Sequence, residues 1–282
     1  MKNGLILVNK ENSQVGEGPL WDARTETFLF LDIRGRCIWK VNPEILQNEK
    51  FILPQQIGCM AVCENGELLV ALEDAVYRMS KSGELTKAHQ QINIKGRRFN
   101  DGKVGPDGAF YLGTTDNNGQ GAFYRLRDGE LVELFDKCSC SNGLDWTSDK
   151  KHMYYIDTPK QQVEIFDFDV KNGTLSNRRK FMDIPLEWGC PDGMCLDEND
   201  DLWIALWDGN KVIHIDKSTK EIVDEIWVPC PKASCCAFGG RNLNELYITT
   251  AAMTDFHSFP QAGNTFKTVL GVKGKPINYY KY

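Results

Sequence analysis

One pattern recurs six times along the chain, and its spacing leaves few folds open. Each copy starts at a turn-like stretch and passes within about eight to ten residues into an alternating strand. The copies are "EGPLWDARTETFLFLDI" from Glu17, "CMAVCENGELLVALED" from Cys59, "NDGKVGPDGAFYLGTTD" from Asn100, "NGLDW" with "KHMYYID" from Asn142, "DGMCLDENDDLWIALWD" from Asp192 and "CCAFGGRNLNELYITTA" from Cys235. The intervals between these origins are 42, 41, 42, 50 and 43 residues. A second marker keeps the register: an acid stands fifteen positions after the origin at Asp32, Asp74 and Asp157, and sixteen after it at Asp116 and Asp208. Its expected task is to hold the turn that follows.

Short polar turns such as "ENGE", "GPDG" and "DEND" separate strands that alternate, as in "LWIALW", and no long amphipathic helical pattern interrupts them. A period of about 40–45 residues with four short strands per unit is that of a propeller blade. The expected fold is therefore all-β: a six-bladed β-propeller with four-stranded antiparallel blades around a central channel, forming a single domain over residues 1–282. "LILV" at residues 5–8 precedes the first origin, so it is expected to close the ring with the C-terminal blade that ends in "TFKTVLGVKG". Trp21, Trp146, Trp203 and Trp207 are expected to pack between blades.

Composition narrows the function classes. With 41% hydrophobic and 26% charged residues, the chain has enough apolar material for a large core. A net charge of −6 with interspersed signs and no basic run argues against nucleic acid. No apolar stretch has the length of a signal peptide core or a spanning helix, so no membrane partner and a cytoplasmic location are expected. The ten cysteines then read as reduced thiols, including the close pairs Cys138 with Cys140 and Cys235 with Cys236. The four histidines are near neither pair, which argues against zinc or redox motifs.

If each origin begins the innermost strand of its blade, Glu17, Cys59, Asn100, Asn142, Asp192 and Cys235 ring one mouth of the channel. Clustered carboxylates repel unless a positive charge sits between them. The fitting occupant is a hard divalent cation on side-chain oxygens, with Glu17 and Asp192 balancing its charge.

The stretches "VGEGPLW", "RFNDGKV", "SNGLDW", "SNRR", "PDGMC", "SCCAFGG" and "LGVKG", in that order along nearly the whole chain, resemble the regucalcin (senescence marker protein), gluconolactonase and luciferin-regenerating-enzyme family. The resemblance implies a six-bladed propeller, metal ligands at Glu17, Asn142 and Asp192, substrate-binding residues at Arg98 and Asn100, and hydrolysis of sugar lactones to aldonic acids. The cofactor is one divalent ion, calcium or zinc first, with magnesium or manganese also compatible with oxygen ligands. Asp192, both ligand and carboxylate, is the candidate general base. The expected partner is a small-molecule lactone, and the protein is expected to be a monomer.

One departure stands out. The loop "DNNGQG" is shorter than its counterpart in regucalcin, which carries a glutamate that touches substrate, and no glutamate occurs here between Glu84 and Glu130. Asp116, Asn117 and Asn118 are the substitutes on offer. The alternative function, a calcium-binding regulatory protein without relevant turnover, shares every ligand and has no use for Arg98 and Asn100. A scaffold for protein partners lacks a reason for the converging acids.

Overall fold

The computed structural model describes residues 4–45, 47–89, 94–253 and 257–281. These form six four-stranded antiparallel sheets, the blades of a six-bladed β-propeller. In chain order the blades span residues 16–52, 59–87, 98–138, 141–183, 190–227 and 233–269. The first five are simple meanders, and in the sixth the strand Ile6–Asn9 pairs antiparallel with Thr265–Val269. The described residues include two 3-10 turns, Thr158–Lys160 and Leu186–Trp188, and no α-helix. None of their helices is long and apolar enough to cross a membrane.

Contacts divide the chain into two compact units, residues 1–54 with 184–277 and residues 55–183 with 278–282. Each holds three blades, and in each the first strands of neighbouring blades touch. In the first unit Ala233–Gly239 contacts both Gly16–Asp22 and Cys190–Leu196; in the second Arg98–Val104 contacts both Cys59–Val62 and Ser141–Trp146.

The middle strands explain why alternation is only part of the sequence pattern. Thr27–Asp32 is buried at every position, because residues on both faces pack against a neighbour. Phe28 stacks on Tyr247 of the sixth blade at 4.3 Å, and Tyr111 of the third blade meets Trp146 of the fourth at 5.1 Å. Outer strands face solvent and are polar, as in the exposed Gln47–Ile52, which suits an open sheet edge. Inner strands approach closely: a Cβ on Gly193 would lie 2.1 Å from Cys235 Sγ, so only glycine fits there.

Two expectations need correction. Trp21, Trp146 and Trp203 are buried, but Trp207, the last residue of Leu202–Trp207, is only partly so. At Asp116 the acid marker holds the turn that follows, as expected, but at Asp157 and Asp32 it also reaches backward. Asp157 accepts from Ser139 N (3.1 Å) and Cys140 N (2.8 Å), and Asp32 accepts from Gln14 N and Val15 N as well as from Gly35 N in its following turn. In both blades the carboxylate pins the segment that enters the inner strand. Asp157→Ala strands two backbone donors, so we expect a loss of about 2–4 kcal/mol in urea denaturation. A loss below about 1 kcal/mol would remove the anchoring role. All ten cysteines are free thiols, and burial pushes Cys37 and Cys138 up to about 11.

Candidate metal and substrate site

The origins share a local device. Pairing slips just after Glu17 in the first blade, after Phe99 in the third, after Ser141 in the fourth, after Pro191 in the fifth and after Ala233 in the sixth. A β-bulge bends its strand and re-aims the side chains within it. Asn100, Asn142 and Asp192 lie inside their bulges and Glu17 at the edge of its own. All four are buried, at 5–7% exposure, although oxygen-bearing side chains ordinarily face water.

In the first unit two carboxylates flank Cys235. Glu17 and Asp192 stand on the two inner strands that border Ala233–Gly239. Ser234 Oγ donates to Gly16 O at 2.5 Å and ties the sixth blade to the residue before Glu17. Glu17 Oε2 accepts from Gly18 N at 2.9 Å.

In the second unit the amides form a chain. Arg98 Nη1 donates to Asn100 Oδ1 at 2.8 Å and to Phe99 O at 2.7 Å. Asn100 Nδ2 donates to Asn142 Oδ1 at 2.9 Å and to Ser141 O at 2.8 Å, and Asn142 Nδ2 donates to Thr158 Oγ1 at 2.7 Å. This chain fixes which end of each amide is oxygen. A carbonyl oxygen has two lone pairs, so Asn142 Oδ1 can accept from Asn100 and still ligate a cation.

Thr158 is the member that sequence reasoning missed. Its signal was its place directly after the acid marker Asp157, in the 3-10 turn Thr158–Lys160. Asp101, Lys103 and Asp145 form a further charged group beside the amides. Lys103 Nζ bonds Asp145 Oδ2 at 3.0 Å. Burial pushes the Asp101 carboxyl up to about 6, and Asp145 raises it further while Lys103 opposes.

The short loop does not join this chain. Asp116 Oδ1 accepts from Asn118 N at 2.8 Å and Gln120 N at 3.4 Å, closing an Asx turn on itself, and Asn117 and Asn118 are exposed. Asp197, Asp201 and His214 also cluster, at the turn that follows Cys190–Leu196. There His214 Nε2 lies 3.4 Å from Asp197 Oδ2, to which Trp203 Nε1 donates at 3.1 Å. Burial opposes ionisation of Asp197, but bonds from His214, Trp203 and the backbone of Asp201 and Asn199 outweigh it and hold the carboxyl low. The third blade repeats the arrangement with Asp107, Tyr111 and Arg127. This is a fastening between turn and strands.

Residues 15–252, most of the chain, match the family described as "SMP-30/Gluconolactonase/LRE-like region". The chain belongs to the SMP-30/gluconolactonase/LRE-like family. Within that family it is 38% identical over 285 residues to YvrE of Bacillus subtilis (strain 168), which carries the name of a sugar lactone lactonase; the match covers 97% of this chain and 98% of YvrE. It is 36% identical over 285 residues to regucalcin of Danio rerio, covering 97% of each. The regucalcin structure from Agrobacterium tumefaciens superposes with a TM-score of 0.93 at 24% identity, over 99% of this chain and 98% of that one, which shows the shared fold. Membership in a family that includes a lactonase by name supports a hydrolase-like enzyme.

Proposed function

We propose that this protein is a divalent-metal-dependent hydrolase that opens sugar lactones to aldonic acids. Glu17, Asn142 and Asp192 would hold the ion, and Arg98 and Asn100 the substrate. The observation that carries this reading is the shared bulge. In four blades it carries a buried oxygen side chain at one step of the repeat, in a family whose members include a lactonase by name. The donor set fits a hard cation, since two carboxylates and an amide oxygen are ligand types that calcium, magnesium, manganese and zinc all accept.

A bound divalent ion supplies Lewis acidity that polarises the lactone carbonyl and offsets charge developing on its oxygen. The chain supplies the rest. Asp192 takes the proton of the attacking water, and its burial limits competing solvation. Asn100 commits both amide hydrogens to Asn142 Oδ1 and Ser141 O, and its Oδ1, which accepts from Arg98, keeps a lone pair that can accept from a substrate hydroxyl. No serine or cysteine nucleophile is required.

Ring opening releases an acid, so the test is direct. The purified protein is expected to acidify a weakly buffered aldonolactone solution faster than the spontaneous rate, to stop when a chelator is added, and to resume with a divalent ion. If a panel of five- and six-membered sugar lactones shows no chelator-sensitive turnover while calcium still binds tightly, the regulatory reading replaces the enzymatic one.

A further inference from the structure

Trp207, with Trp188 and Trp227, is one of three tryptophans that the core does not fully bury, and it stands at the same blade end as Asp192. It closes Leu202–Trp207 and pairs across the sheet with Cys190, two residues before Asp192. The 3-10 turn Leu186–Trp188 enters the same strand, with Leu186 exposed and Trp188 partly so. A Cβ on Gly209 would lie 2.3 Å from Trp188 O, so the turn after Trp207 presses directly on this loop. Backbone bonds from Asn210 N to Pro231 O (2.9 Å) and from Val228 N to Asn210 O (2.8 Å) anchor the other side of the turn. Over one face of the indole, Lys232 Nζ lies 5.7 Å from the ring centroid and 3.0 Å from Asp208 Oδ1, and the Asp208 side chain is 57% exposed.

We propose that Trp207, with the Lys232–Asp208 pair next to it, is the specificity-determining wall of the lactone site and selects sugar lactones that present an apolar C–H face. The proposal rests on the lactonase reading above and names the part of the substrate that this wall receives. A sugar ring is amphipathic: its C–H groups are apolar and slightly positive, and hydroxyls line its rim. The negative face of an indole suits the first, and a carboxylate beside an ammonium suits the second. Trp203, on the same strand, is buried at 1% exposure, whereas Trp207 stays only partly buried at the blade end that carries Asp192. Because backbone contacts pin both flanking loops, little ordering cost attends binding. The short loop at Asp116 adds weight, since that carboxylate is bonded within its own turn.

Three measurements test the wall together. Trp207→Ala is expected to raise KM for the turned-over aldonolactone about tenfold while kcat stays within about threefold, the pattern of an interaction made equally in ground and transition states. Trp207→Phe, which keeps an aromatic face, should restore KM to within about threefold of the original. Adding the aldonate product should quench the fluorescence of the unaltered protein, and Trp207→Phe should remove most of that quenching despite the six tryptophans that remain of seven. Unchanged KM in Trp207→Ala with turnover intact overturns the wall and leaves the lactonase reading standing. Should Trp207→Ala fail to fold, an unchanged quench in Trp207→Phe overturns it instead. Absence of lactone turnover in the unaltered protein overturns the reading and the wall with it.

Discussion

Asp192→Asn is expected to lower kcat for lactone opening by about 10²–10⁴, the usual loss when a general base is removed. The substitution keeps an oxygen donor of nearly the same size at a buried position inside the bulge of Cys190–Leu196. The packing there is set by Gly193 against Cys235, which the change leaves alone, so the fold should persist. Only the charge and the proton acceptor are lost. Metal affinity is therefore expected to fall in part, because a neutral amide balances less of the ion's charge, while kcat measured at saturating metal should stay depressed. A kcat that recovers fully once metal is saturating would make Asp192 a ligand alone and pass the base role to another group.

Asn142→Ala should act on the other quantity. Loss of an outer partner to a metal ligand already costs about 10–100-fold in affinity, and loss of the ligand itself is expected to reach the upper end of that range or exceed it. Stability should change little. Asn100 Nδ2 keeps its bond to Ser141 O, and Thr158 Oγ1 loses one partner, which suggests about 1 kcal/mol. A metal titration beside a thermal melt separates the two effects. Thr158→Val gives the comparison: it removes the bond that orients the Asn142 amide but leaves the oxygen in place, so its effect on affinity should be smaller than that of Asn142→Ala. A large fall in Tm with unchanged metal affinity in Asn142→Ala would reduce the residue to a strand cap.

The repeat made the blades legible before any coordinates, because each blade has to bury both faces of its middle strands and so writes the same apolar run and turn into the chain every 41 to 50 residues. The origins were legible for the same reason. A residue such as Asn142, whose side chain is buried at the start of an inner strand, breaks the apolar pattern at a fixed step. The contacts of those side chains were not legible, because pairing one blade's inner strand with the next depends on loops of unequal length. Only the tertiary structure joined Arg98 to Asn100, Asn100 to Asn142 and Asn142 to Thr158, and only it showed Asp116 bonded within its own turn. The bulges escaped sequence reading as well, since a one-residue slip in register alters no residue type. Trp203 and Trp207 make the same point on one strand. The sequence shows two like residues four apart, and the structure buries one in the middle of the blade and leaves the other only partly buried at its end.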